Sequence, residues 1–137
     1  VMYLKNIKLS NFKSYSEVDV EFSHNINCLV GNNGVGKTNL LDAIYYLSFS
    51  KSYFNSLYNQ NIKYNEPYFA IHGNYIFSDQ SDMQQISCIQ RRGQSKQIKF
   101  NKKLYSRISA SKPSTGTPPT NIVFNVSTDD NKRLNAT

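Results

Sequence analysis

Gly31-Asn32-Asn33-Gly34-Val35-Gly36-Lys37-Thr38 is the stretch on which the reading of this chain turns. It fills every fixed position of the phosphate-loop pattern G-x-x-x-x-G-K-S/T, and each fixed position has a mechanical reason. The glycines permit a tight turn whose backbone N–H groups converge on phosphate oxygens. Lys37 brings a flexible cation against the outer phosphates, and the Thr38 hydroxyl is suited to Mg²⁺. An ordinary glycine-containing turn between strand and helix would have no need of Lys-Thr at these two places.

Before the loop, Ile26-Asn27-Cys28-Leu29-Val30 is a short, mostly apolar run that ends at a glycine, which predicts a buried strand. After it, Leu40, Leu41, Ile44 and Leu47 recur at helical spacing from Thr38 to about Phe49, with Asn39 and Asp42 as polar positions among them. Strand, glycine-rich loop and helix in this order would set phosphates at a helix N-terminus. There the first-turn N–H groups and the macrodipole both favour anions.

The 137 residues allow one modest domain, and 39% hydrophobic with 13% aromatic residues suffices for a core, which excludes a disordered chain. No apolar run approaches the ~18 residues that span a bilayer, and the first residues lack the pattern of a signal peptide. No membrane association is expected. Cys28 and Cys88 have no metal-ligand spacing and are expected as reduced core residues of a cytoplasmic protein. His24 and His72 have no catalytic partners near them in sequence and are expected to be structural or exposed.

The net charge of +7 is unevenly spread. From Met83 to Lys112 there are eight basic residues and no acidic one: Arg91, Arg92, Lys96, Lys99, Lys102, Lys103, Arg107 and Lys112. Such a run suits a polyanion such as DNA, because neutralising phosphates releases condensed counterions. It equally suits a solvated, lysine-rich sheet face that resists edge-to-edge pairing. The aromatic residues mostly alternate as core-facing strand positions, so no base-stacking platform is expected.

Along the chain, Leu4, Ile7 and Leu9 and then Val18, Val20 and Phe22 read as two strands joined through Asn11-Phe12-Lys13-Ser14. A polar, tyrosine-rich stretch from 50 to 65 lacks periodicity. Strands around Phe69–Phe77, Ile86–Arg91, Ile98–Phe100 and Leu104–Tyr105, joined by short polar turns, predict an antiparallel meander. From Ser109 the composition turns rich in Pro, Ser and Thr. Ile122-Val123-Phe124 is a candidate last strand, and the end from Ser127 is expected to fray. Residues 2–109 are thus read as one lobe, and 110–137 as a divergent, flexible tail.

The residues Leu4-Lys5-Asn6-Ile7-Lys8-Leu9-Ser10-Asn11-Phe12-Lys13-Ser14-Tyr15 together with the phosphate loop and Asn39-Leu40-Leu41-Asp42-Ala43-Ile44 resemble the start of the RecF family. That family is related to the ATPase heads of SMC proteins and Rad50. The resemblance continues through Lys51-Ser52-Tyr53 and Gln60-Asn61-Ile62-Lys63 to Ser106-Arg107-Ile108-Ser109. It implies an α/β fold: lobe I of an ABC-ATPase head, a mixed sheet with the phosphate-loop strand, loop and helix beside an antiparallel meander, as an incomplete domain. It implies ATP and Mg²⁺ as ligands, with Gly31 through Thr38 and Asn39 around the nucleotide and Thr38 on the metal. Asn33, Gly34 and Gly36 would give backbone contacts. Lys13 aligns with a basic residue that reaches nucleotide phosphates in related heads, and Gln60 would take the part of the glutamine that senses Mg²⁺ and water. The resemblance further implies binding to single-stranded and gapped duplex DNA, an ATP-dependent homodimer, and cooperation with RecR, RecO and RecA in the SOS response and recombinational repair. Arg91, Arg92, Lys96, Lys99, Lys102 and Lys103 are the candidate DNA contacts.

The sequence contains no apolar strand ending in an Asp-Glu pair and no Leu-Ser-Gly-Gly signature. Asp129-Asp130 follows the preceding apolar patch too loosely to be that pair, so no residue here is assigned a catalytic role. Because phosphoryl transfer needs a completed metal site and an oriented water, nucleotide binding with hydrolysis near background is expected. Two other readings stay open: the N-terminal lobe of another SMC-like ATPase, and a non-catalytic basic DNA-binding remnant.

Overall fold

The computed structural model of the chain describes residues 2–29, 36–49, 58–77, 83–101, 103–105, 119–122, 125–126 and 134–135. Six strands form one sheet: β1 Met2–Phe12, β2 Tyr15–Glu21, β3 Tyr68–Phe77, β4 Met83–Arg91, β5 Gln97–Phe100 and β6 Lys103–Tyr105, in the order β2-β1-β3-β4-β5-β6. The register sets Ile7 opposite Val20 and Gly73, Leu9 opposite Val18 and Ile71, and Cys88 opposite Ile98. Partners across a ladder share a face. One face therefore collects the apolar set, while Lys8, His72, Ser87 and Lys99 line up on the other.

Helix α1, Lys37–Phe49, lies on the apolar face. Leu40, Leu41, Ala43, Ile44, Tyr46 and Leu47 are all buried, so the helix is covered on more than one side. A short two-stranded sheet of β7 Asn125–Val126 and β8 Leu134–Asn135 adds to that cover, with β8 alongside α1. Gly73 lets helix and sheet approach closely, since a Cβ there would fall 2.5 Å from Leu47 Cδ1. Phe12, Tyr46 and Phe69 form an edge-to-face triad with centroids 5.2 to 6.2 Å apart. It ties β1, α1 and β3 together at the end of the sheet where the β1–β2 turn lies.

The helix, the β1–β2 hairpin and the meander lie where the periodicity puts them, and Cys88 is buried as expected. Three expectations are corrected. Residues 26–29 form no strand: Ile26 is 66% exposed, Cys28 is exposed, and of this run Leu29 packs against the core. A strand needs a neighbour for its N–H and C=O groups, and among the described residues the sheet order offers none beside it. For the same reason every pairing described is antiparallel rather than mixed.

The last correction concerns the far end of the chain. Residues 119–122 do not stand apart from the lobe. Thr120 donates from N and Oγ1 to the Met2 carbonyl, at 2.8 Å each. Asn121 accepts from Leu4 N at 2.9 Å and donates to the carbonyls of Leu4 and Ser23 at 2.8 and 3.0 Å. Asn121 and Ile122 are buried. A single asparagine side chain can pair with both backbone groups of one residue, and this one fastens the chain onto β1. Ile122 lies outside any strand, Val123 and Phe124 lie outside the described residues, and a short strand is described at 125–126.

Candidate nucleotide site

Gly36, Lys37 and Thr38 are the part of the phosphate loop among the described residues; Gly31 to Val35 lie outside them. Gly36 is the N-cap of α1, and its carbonyl accepts the first helical bond from Leu40 N at 2.9 Å. Its φ of +98° is left-handed and favours glycine. α1 has no acidic residue in its first turn, so no carboxylate of that turn offsets the positive end of the helix where Lys37 and Thr38 sit. A glycine in a left-handed conformation, a lysine and a hydroxyl at a helix N-terminus fit a phosphate group with its cation.

The β1–β2 turn docks on this junction residue by residue. Lys13 Nζ donates to Asp42 Oδ2 at 2.5 Å, Asn39 Nδ2 donates to Ser14 Oγ at 2.9 Å, and the Tyr15 hydroxyl donates to the Gly36 carbonyl at 2.6 Å. Successive turn residues 13, 14 and 15 thus meet 42, 39 and 36, each step moving three residues along the helix face. Asp42 is fully buried and the Lys13 side chain is 15% exposed. Burial also pushes the Tyr15 phenol above its ordinary range, which keeps it a protonated donor.

The turn is braced from behind. Asn11 and Lys13 have φ of 55° and 51°. Lys13 N donates to the Asn61 carbonyl at 2.8 Å, Lys63 N to the Asn11 carbonyl at 2.7 Å, and Phe12 bridges Ile62. The short 3-10 helix Tyr58–Asn61 is thereby fixed against the turn, which brings Gln60, exposed, to the neighbourhood of Lys13. Asn39 contributes through Ser14, and Thr38 lies one helical turn before Asp42.

Among the described residues the basic side chains do not form one patch. Lys96 Nζ sits 5.3 Å over the ring of Tyr46, a residue of α1. Lys99 lies on the opposite sheet face, where it and Lys8, after burial, push His72 below its ordinary pKa; His72 Nδ1 is 2.7 Å from Ser87 Oγ. Arg91, the last residue of β4, and Arg92, the first of the β4–β5 turn, are both exposed. Arg92 donates to the carbonyls of Glu66 and Lys63 at 2.7 and 3.3 Å, and Arg91 to Gln97 at 3.3 Å. Lys102 lies outside the described residues, and only the backbone of Lys103 is placed. A hollow of about 320 Å³ on that opposite face is lined by Lys8, Ser10, Glu17, Asp19 and His72. Its mixed charges and its place across the sheet from α1 separate it from the nucleotide site.

A loop ending at a helix N-terminus, clamped by a hairpin, is an arrangement with relatives. The family profile described as an AAA ATPase domain matches residues 2–135. The chain belongs to the AAA ATPase domain family. Within that family its relatives are RecF proteins. It is 47% identical over 108 residues to the DNA replication and repair protein RecF of Phocaeicola vulgatus, covering 79% of this chain and 29% of that one. It is 46% identical over 108 residues to RecF of Flavobacterium johnsoniae, covering 79% and 30%. Among solved structures, the recombination mediator protein RecF-ATP of the RecFOR pathway superposes with a TM-score of 0.72 at 32% identity, covering 77% of this chain and 29% of that chain. An SMC ATPase superposes at 0.68 with 24% identity, over 76% of this chain and 72% of that one, a likeness of fold alone. The chain spans about three tenths of the length of the curated relatives it matches (29% and 30%). It has the antiparallel sheet and helix of a RecF-like N-terminal ATPase lobe, a partial domain.

Tyr15, Ser14 and Asp42 carry the clamp, and reasoning from the sequence assigned none of them. Asp42 had a signal: a carboxylate in the middle of an apolar helical run, four residues after Thr38. Tyr15 had none beyond its place after Lys13-Ser14.

Proposed function

We propose that this chain is the ATP-binding N-terminal lobe of a RecF-type DNA replication and repair protein. The observation that carries the reading is the docking of Lys13, Ser14 and Tyr15 on residues 42, 39 and 36, next to Lys37 and Thr38. Lys37 would neutralise the outer phosphates and the first-turn amides would hold their oxygens, with Gly31 to Val35 completing the cradle. Lys13 would approach from the hairpin side. The Thr38 hydroxyl would hold Mg²⁺, which supplies charge neutralisation across the phosphates when bound, and Gln60 would attend it. Hydrolysis by this chain alone would stay near background.

RecF relatives are DNA replication and repair proteins, which supports DNA as the polyanion for Arg91 and Arg92. Gap binding, an ATP-dependent homodimer, cooperation with RecR, RecO and RecA, an SOS role and a cytoplasmic setting belong to this proposal for the whole protein. No helix among the described residues is long and apolar enough to cross a membrane. Calorimetric titration of Mg-ATP into the chain and into Lys37→Ala tests the reading. Saturable heat from the first and none from the second supports it, and equal heats from both would overturn it.

A further inference from the structure

We propose that Tyr15 is a positioning residue of the phosphate grip: its hydroxyl fixes the Gly36–Lys37 peptide, through which the loop passes into α1. The inference deepens the nucleotide-binding reading and rests on it.

The Gly36 carbonyl accepts two bonds, from Leu40 N at 2.9 Å and from the Tyr15 hydroxyl at 2.6 Å. A carbonyl oxygen has two lone pairs, so one ties this peptide to the helix and the other ties it to the hairpin. The peptide is planar and trans, and its C=O and N–H point to opposite edges. Holding the Gly36 oxygen on the hairpin side therefore sets the direction of the Lys37 N–H on the other. A bond to the carbonyl also polarises the peptide and strengthens that N–H as a donor to an anion.

The packing supports the same assignment. A Cβ at position 36 would lie 2.5 Å from the Tyr15 oxygen and 2.9 Å from its Cζ, so the ring occupies the space that any side chain there would need. Lys13 and Ser14 anchor the turn on Asp42 and Asn39, so Tyr15 is presented by a turn held at two neighbouring points. Burial raises the phenol's pKa and keeps the proton on the oxygen across the neutral range. Tyr15 is partly buried against the core, and the partner its hydroxyl takes is the carbonyl at the start of the helix that bears Lys37 and Thr38.

The test is Tyr15→Phe, which keeps the ring and removes the donor. Mg-ATP affinity and thermal melting are measured on the chain, on Tyr15→Phe and on Lys37→Ala, together with ¹⁵N spectra of the Lys37 amide. The expected result is about a 5–20-fold weaker ATP affinity in Tyr15→Phe, the range of a hydrogen bond serving a charged ligand. Melting should be nearly unchanged, and the Lys37 amide resonance should move upfield. A ring-fluorinated tyrosine at position 15 gives an independent reading without loss of shape. Its more acidic phenol should make ATP affinity fall as pH rises through the lowered pKa, where the natural chain stays flat. Unchanged affinity in Tyr15→Phe, or a flat pH profile in the fluorinated chain, overturns the proposal while leaving nucleotide binding intact. Failure of the natural chain to bind Mg-ATP overturns the nucleotide reading instead, and this proposal with it.

Discussion

Breaking the Lys13–Asp42 pair from its two ends should give unequal losses. Lys13→Met leaves the Asp42 carboxylate, fully buried, without the ammonium 2.5 Å away. Removing one partner of a buried ion pair costs about 3–5 kcal/mol. Asp42→Asn leaves Lys13, whose side chain keeps 15% exposure and whose long stem can carry the ammonium towards water. The amide still accepts a hydrogen bond, so the loss should be about 1–2 kcal/mol. In the double variant no charge remains to be stranded, and the loss should be close to that of Asp42→Asn alone. The coupling energy of the cycle then equals the Lys13→Met loss, about 3–5 kcal/mol, well above the ~0.5 kcal/mol within which independent sites add. Urea denaturation of the four proteins, monitored by far-ultraviolet circular dichroism, measures it. Additive losses, or a greater loss in Asp42→Asn than in Lys13→Met, would refute the assignment of a buried pair that holds the turn on α1.

Other expectations follow from single contacts. Gly73→Ala should lose about 1–3 kcal/mol by overpacking, because the new Cβ meets Leu47 Cδ1 at 2.5 Å; in a Leu47→Ala background the same change should become neutral or favourable by chemical denaturation. Asn121→Ala removes two hydrogen bonds to Leu4 in β1 and one to the Ser23 carbonyl and should cost about 1–3 kcal/mol, with faster proteolysis after residue 109 as a second readout. Gly36→Ala forces a side chain into a φ of +98° against Tyr15 and should abolish calorimetric ATP binding. His72 has a folded pKa below its unfolded value of about 6.5. Below that pH the unfolded chain takes up a proton that the folded chain refuses, so this contribution to stability is present above pH ~6.5 and is lost as pH falls towards the folded pKa. The melting temperature of His72→Gln should therefore fall less between pH 7.5 and 5.5 than that of the natural chain.

What was legible in the sequence was whatever one segment determines by itself. The helix could be read from Leu40, Leu41, Ile44 and Leu47, and β2 from the alternation of Val18 and Val20 with Asp19 and Glu21, because periodicity is local. The stretch 26–30 has an equally apolar run, yet a strand also requires a neighbour, and an apolar run does not say whether one exists. Cys28 came out exposed for that reason. The clamp was illegible on the same principle: its three contacts join residues 21 to 29 apart, and no spacing rule links a turn to a helix face at that distance. Composition likewise could not tell that Asn121, directly after a run typical of linkers, would satisfy both backbone groups of Leu4.

The position of the one acid in α1 connects these observations. Helices usually gather Asp and Glu in the first turn, where they offset the positive end of the dipole. Here the first turn has none, and Asp42 stands in the second. At position 38 or 39 a carboxylate would repel a phosphate from the helix end. At 42 it is paired with Lys13, so the two contribute no net charge to the helix, and the field at the N-terminus is left to Lys37 and the backbone amides. The same pairing holds the turn that presents Tyr15 to Gly36. Moving the acid by one turn, as Asn39→Asp with Asp42→Asn, would keep the helix's charge constant while reversing the field at its end. The phosphate reading then requires ATP affinity to collapse far more than stability does. A parallel loss of both would mean that the clamp serves the fold and not the ligand.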